Sequence, residues 1–180
     1  DRYRVIAPDQ RGHGQTTQAP DGYDWASLSF DVIALMDNLG IDRFAVLGHS
    51  WGGNVAINLA AKHPNRISAL VMIDGGFFGG RSRVTSNYEE FRQRAAPRDV
   101  SGTRQELMGR FSKQLSMCWS PDIERIVQTM VWEDENGKMH DILTPENHSQ
   151  VMHAMWHEPA SEAWPHIKCP ALIVAAGPTP

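Results

Sequence analysis

Residues 44–53 read Phe44-Ala45-Val46-Leu47-Gly48-His49-Ser50-Trp51-Gly52-Gly53, and this stretch decides the fold. Phe44 to Leu47 is a short apolar run bounded by turn-forming residues, the pattern of a buried strand. Asn54 to Lys62 is rich in alanine and helix-prone until Pro64. Gly48-x-Ser50-x-Gly52 thus joins a strand to a helix, the context in which this pentapeptide makes a sharp turn with its serine at the apex. Such a turn strains the serine backbone, and its neighbours two positions either side come too close to the crossing chain for side chains. The hydroxyl is held at the N-terminus of the next helix, where backbone N–H groups and the helix dipole favour negative charge. Ser50 is therefore the candidate nucleophile, and the Trp51 N–H a candidate oxyanion donor. Gly12-x-Gly14 is not followed by glycine at position 17, and no Gly-Lys-Ser/Thr occurs, so neither a dinucleotide fingerprint nor a P-loop is spelled.

Outward from this turn, strands and helices alternate. Tyr3 to Ala7 reads as a strand running into the turn-rich segment Pro8 to Gly14. From Trp25 to Leu39 the residues Trp25, Leu28, Val32, Leu35 and Leu39 recur at helical spacing, with Asp24 as N-cap and Gly40 as the stop. Ile67 to Ile73 is a third strand, ending in Asp74-Gly75-Gly76. Strand, helix, strand, helix, strand in this order implies crossovers and a parallel sheet with helices on both faces.

Between Phe77 and Pro165 the pattern turns helical. Ser86-x-x-Glu89 and Thr103-x-x-Glu106 are capping boxes, and Ser120-Pro121 and Thr144-Pro145 each pair an N-cap with proline at the first helical position. Leu107, Phe111 and Leu115 recur every four residues, and Ile123, Ile126, Val127 and Met130 follow helical spacing. Asn136-Gly137, between Val131-Trp132 and Ile142-Leu143, marks a hairpin. Ala171 to Ala176 then resumes the sheet.

Composition narrows the function classes. The 180 residues carry 17 Lys plus Arg against 21 Asp plus Glu, net −4, with the positive charges scattered, so a basic nucleic-acid footprint is missing. Apolar runs fall far short of the roughly 20 residues that a membrane helix needs. Cys118 and Cys169 make no disulfide framework or zinc spacing and read as packing thiols in a reducing, cytoplasmic setting. His153 and His157 stand one helical turn apart without a carboxylate at a metalloprotease offset, so a surface or substrate-facing role is expected of them rather than metal binding. His49 abuts Ser50 and could not easily reach its hydroxyl, and neither it nor His13 is assigned as base. Arg11 reads as an anchor for its own loop. Asp74 ends a strand, and Phe77 and Phe78 just beyond it are candidates for lining an apolar substrate pocket.

Taken together, Asp9-x-Arg11-Gly12-His13-Gly14, Gly48-His49-Ser50-Trp51-Gly52-Gly53, His63-Pro64-x-Arg66-Ile67, the strand ending in Asp74, and Cys169-Pro170-Ala171-Leu172-Ile173-Val174 resemble the α/β-hydrolase superfamily. The resemblance implies an α/β fold with a doubly wound, mostly parallel sheet and a helical cap insertion. It divides the chain into core residues 1–76, a cap at 77–165, and a resuming core strand within 166–180. Serine at position 50 sets the chain apart from the haloalkane dehalogenases and epoxide hydrolases of that superfamily, which carry aspartate there. The resemblance also places a second oxyanion donor, the catalytic histidine and its usual acid outside Asp1 to Pro180, with a further strand between those at Tyr3 and Phe44, and it makes Asp74 an alternative catalytic acid, since some members draw the acid from that position. Because apolar runs stand close to both ends, a piece of a longer protein, lacking N- and C-terminal strands, is expected. The implied activity is that of a serine hydrolase working by acyl transfer on a small, largely apolar carboxylic ester or lactone, with no cofactor or metal. Amide or carbon-carbon bond hydrolysis, or a non-catalytic ligand-binding module on the same fold, are the alternatives.

Overall fold

The computed structural model describes residues 2–76, 87–175 and 177. It divides into two compact units, residues 1–20 with 96–148, and residues 21–95 with 149–180. Tyr88–Arg94 and the second half of Pro145–His157 group with the sheet in the second unit.

The sheet unit begins with α1 (Trp25–Asn38). Asp24 caps it, its carboxylate accepting from the N–H groups of Ala26 and Ser27 at 2.9 Å each. The helix ends at Gly40, whose φ of 67° turns the chain away while the Gly40 and Ile41 N–H groups donate to the Asp37 and Met36 carbonyls. Its buried face is Trp25, Leu28, Ser29, Ile33 and Met36. That face lies about one residue round from the expected stripe, and Leu39 is exposed. The rotation brings Ser29 inside, where its hydroxyl donates to the Trp25 carbonyl at 2.6 Å.

Strand β1 (Phe44–His49) leads through Ser50 into α2 (Trp51–Lys62), which returns the chain to β2 (Ile67–Ile73). With β5 (Ala171–Val174) these form a three-stranded, wholly parallel sheet in the order β1, β2, β5. A register shift lies between Phe44 and Ala45, after which His49 pairs with Ile73 and Ile73 with Val174. All three strands therefore finish at one edge. The core sits between the sheet and α2, where Ile57, Leu59, Ile67, Leu70 and Met72 are fully buried. Each such side chain contributes about 1.5–3 kcal/mol relative to its exposed state. Along β1 burial alternates, and Ala45, Leu47 and His49 are exposed, whereas Ala69, Val71 and Ile73 of β2 are half-buried. Cys169 packs against this core, whereas Cys118 is exposed and is not the packing residue expected.

Helix α3 (Tyr88–Arg94) is capped by Asn87, which accepts from the Glu89 and Glu90 N–H groups at 2.8 and 3.2 Å. The expected capping box at Ser86 thus gives way to a cap one residue later, a change that leaves Glu89 and Glu90 in the first turn, where the helix dipole favours them. Ser86 itself lies outside the described residues, as do Phe77 and Phe78.

In the other unit, α4 (Arg104–Gln114) carries the full Thr103/Glu106 capping box, and α5 (Pro121–Gln128) starts at Pro121 behind the Ser120 cap. Leu107 and Val127 are their buried residues, while Ile126 is exposed. Strands β3 (Val131–Glu133) and β4 (Met139–Asp141) form the antiparallel hairpin around Asn136-Gly137, where Gly137 has φ 77°. The returning strand is Met139–Asp141 rather than Ile142-Leu143, because Val131 pairs with Asp141 and the tight turn sets that register. Helix α6 (Pro145–His157) follows the Thr144 cap, whose hydroxyl accepts from the Asn147 N–H at 3.2 Å.

Tyr3 to Ala7 is not a strand. Tyr3 and Val5 are 84% and 83% exposed and join no ladder. An apolar run becomes a strand only where a neighbour takes up its N–H and C=O groups.

Candidate active site

Ser50 stands between the last residue of β1 and the first of α2, with φ 51° and ψ −120°. This is a costly conformation for a residue with a side chain, and it persists only where the surroundings enforce it. Two backbone hydrogen bonds do so. The Ser50 N–H donates to the Ile73 carbonyl at 2.9 Å, tying the apex to the end of β2, and the Gly53 N–H donates to the Ser50 carbonyl at 2.9 Å. Gly48 allows the turn to close, since a Cβ there would overlap the Gly52 carbonyl oxygen and lie 2.7 Å from the Gly53 nitrogen. Ser50 is exposed.

Trp51 opens α2, so its N–H belongs to the first-turn donors that have no acceptor within the helix. Ser50 likewise makes no side-chain cap bond to α2. Hydroxyl and N–H donors of the same turn thus occupy the positive end of a twelve-residue helix.

Asp74 follows β2 just as Ser50 follows β1, and the parallel register puts both at the same sheet edge on adjacent strands. Asp74 is half-buried, has φ 46°, and its N–H donates to the Val174 carbonyl at 2.7 Å. Its backbone is thereby committed to holding β5 against β2. Beyond it, Gly75 and Gly76 are buried under the turn, a contact that the sequence did not reveal.

Other singled-out residues fall elsewhere. His13 Nδ1 lies 3.0 Å from the Arg11 carbonyl within its own loop. His153 and His157 lie with ring centroids 4.2 Å apart, beside Tyr88 at 6.0 and 5.3 Å. Tyr88 and His153 help line a cavity of about 310 Å³ together with Tyr23, Asp24 and Glu158. Ser50 is not among its lining residues, and the two carboxylates make it unlike the apolar pocket expected. His63, at the end of α2, is held below its usual pKa by burial and by the nearby Arg66 and Lys62 charges. Among the described residues no group of three or more His, Cys, Asp or Glu side chains is placed to hold a metal ion, and no helix is long and apolar enough to cross a membrane.

The chain is similar to known proteins over part of its length in sequence and over most of its length in fold. "Putative carbamate hydrolase RutD" of Caulobacter sp. (strain K31) is 40% identical over 75 residues, covering 41% of this chain and 28% of that protein. "Soluble epoxide hydrolase" of Corynebacterium sp. (strain C12) is 36% identical over 74 residues, covering 41% and 26%. Among solved structures, E-2-(acetamidomethylene)succinate hydrolase superposes with a TM-score of 0.70 at 17% identity, over 91% of this chain and 59% of that one. The chain thus spans little more than a quarter of the length of the curated relatives it matches. The family described as alpha/beta hydrolase fold matches residues 1–120, two thirds of the sequence, and the chain belongs to it.

Proposed function

We propose that the protein is a serine hydrolase in which Ser50 Oγ attacks an acyl carbon. The observation that carries this reading is the serine at φ 51°, exposed at the joint of β1 and α2. In the first step the Oγ–acyl bond forms, the Ser50 proton passes to a general base, and the leaving alcohol departs with a proton from that base. The Trp51 N–H stabilises the negative oxygen of the tetrahedral intermediate together with a second donor. Water then attacks the acyl-serine, releasing the carboxylic acid and restoring the hydroxyl. The base is assigned to a histidine and its acid beyond Pro180, with Asp74 as the alternative acid.

The substrate is a small, largely apolar carboxylic ester or lactone. Segment 77–165, proposed as a cap with 1–76 and 166–180 as core, supports this choice through its Trp- and Met-rich sequence. Phe77 and Phe78 are proposed to line its pocket. An enol-lactonase of Burkholderia xenovorans LB400 is among the similar structures, at 25% identity and TM-score 0.57. The relative named for carbamate hydrolysis favours a second reading, cleavage of an acyl–nitrogen bond by the same serine. The relative named an epoxide hydrolase does not redirect the proposal, because a serine nucleophile needs an acyl carbon to form its intermediate. Free thiols at Cys118 and Cys169 suit a reducing cytoplasm.

The test is covalent labelling of the full-length gene product with a fluorophosphonate. The adduct is expected on the peptide containing Ser50 and is expected to vanish in Ser50→Ala. Labelling that survives the substitution overturns the assignment, and turnover on ester, lactone and amide panels separates the two substrate readings.

A further inference from the structure

We infer that Gly75, a residue that touches no reacting atom, is the positioning residue that aims the oxyanion donor. This inference rests on the proposed role of Ser50 and Trp51. Gly75 is buried directly beneath the turn, and a Cβ built on it would overlap the Ser50 carbonyl oxygen, lying 2.6 Å from the Ser50 carbonyl carbon and 2.7 Å from its Cα. The bare Cα of Gly75 is thus the floor on which the Ser50 carbonyl rests.

That carbonyl and the Trp51 N–H are the two ends of one rigid peptide plane and point in opposite directions. Whatever fixes the carbonyl fixes the direction of the N–H. The plane is held at the carbonyl oxygen by the Gly53 N–H at 2.9 Å, and on the other side of Ser50 by the Ser50 N–H bond to Ile73. Gly75 supplies the steric stop between these bonds. A methyl group there must push the carbonyl away by about 1 Å or more to reach ordinary carbon–oxygen separation. The Ser50 N–H bond to Ile73 anchors the peptide before the plane, so a carbonyl pushed off Gly75 moves by rotating its own plane against the Gly53 N–H bond, and the Trp51 N–H swings away from the developing oxyanion.

The same segment is pressed from the helix side. A Cβ on Gly53 would lie 2.7 Å from the Gly75 carbonyl carbon and 3.0 Å from its oxygen, a milder collision than that at Gly75 itself. Helix α2 and the end of β2 therefore meet through glycines on both sides. The carboxyl end of β2 acts as a mould for the turn rather than as a mere neighbour.

A donor that works only on the transition state has a specific signature. In the full-length protein, Gly75→Ala is expected to lower kcat by about 10- to 100-fold while KM stays within about twofold. Binding of an alkyl boronic acid, which forms a tetrahedral adduct on the serine, should weaken by the same factor as kcat/KM. Binding of the alcohol product, a neutral group with no oxyanion for the Trp51 N–H to hold, should not change. Active sites are counted by fluorophosphonate titration, so that a misfolded fraction lowers the count and not kcat per site. If Gly75→Ala does not fold, Gly53→Ala puts the same question with less force and a gain in helix propensity, and the same kcat-only loss is expected. Gly109→Ala, where an added Cβ meets only open space, is the unaffected control. Ser50→Ala is run alongside. If it still turns over substrate, the nucleophile assignment fails and this inference with it. If Ser50→Ala is dead while the folded glycine variants keep full kcat, or lose kcat and product affinity together, only the positioning role is overturned.

Discussion

Gly48 has no room for a side chain, because an added Cβ would overlap the Gly52 carbonyl oxygen across the turn, while Gly109 in α4 faces open space. Gly48→Val is therefore expected to destabilise the full-length protein by about 3 kcal/mol, since backbone on the far side cannot yield as a side chain would. Gly109→Ala should instead add about 0.5–1 kcal/mol through the smaller entropy lost by alanine in a helix. Urea unfolding of the two variants checks both, and equal small effects would contradict a close-packed turn. The serine itself was legible in the sequence because strand, turn and helix are adjacent along the chain, so the motif and its context can be read together. Gly75 was not legible as a partner of Ser50. Its closeness arises from parallel pairing of β1 with β2, a contact set by tertiary structure and invisible to local patterning. Asp74 shows the same division: its place at the end of a strand was readable, whereas its φ of 46° and its bond to Val174 were not.

Several strong local signals stand where the sequence placed them, although the hairpin's returning strand is Met139–Asp141 and the cap before Tyr88 is Asn87. The Thr103/Glu106 box, the Ser120-Pro121 start and the Asn136-Gly137 turn all depend on side chains acting within a few residues. Tyr3 to Ala7, whose identity as a strand depends on a distant partner, does not form one. Helix α6 carries a testable consequence of its own start. His148 sits in its first turn, close to the Arg98–Asp141 ion pair, whose separation is 2.7 Å. Burial pushes the His148 pKa down, Asp141 opposes that shift and Arg98 adds to it, with a net lowering. A positive charge is also disfavoured at a helix N-terminus. The unfolded chain then binds this proton more readily than the folded one. Its contribution to stability is fully present above the unfolded value, near 6.5, and is lost as pH falls through that value toward the lower folded pKa. Chemical unfolding at pH 7.5 and at pH 5.5 should show lower stability at the acid end, and His148→Gln should flatten part of that slope. An unchanged slope in the variant would remove His148 as its source.

At the scale of the molecule, the sheet presents apolar strands at both margins. Strand β1 is the margin on one side, with Leu47 62% exposed, and β5 is the margin on the other, with Leu172, Ile173 and Val174 at 57%, 47% and 46%. Parallel strands ordinarily lie inside a sheet covered on both faces, and β5 carries the continuous apolar sequence of such a strand while being exposed throughout. A flat apolar edge with unused backbone donors and acceptors is a template for another chain. Residues 1–180 produced alone are therefore expected to associate or to lose fixed packing, with dye-detectable apolar surface and no sharp thermal transition. The cause can be isolated by placing a charge on the edge. Ile173→Lys should raise the soluble fraction, because a lysine on an edge strand opposes pairing with a second strand, while an equivalent charge on the exposed polar surface at Gln128 should not. Light scattering and calorimetry on the three proteins decide the matter. A monodisperse monomer with a cooperative transition from the unmodified 180 residues would show that the α2 face alone stabilises the sheet, and equal rescue by Gln128→Lys would trace any association to net charge rather than to the open strand.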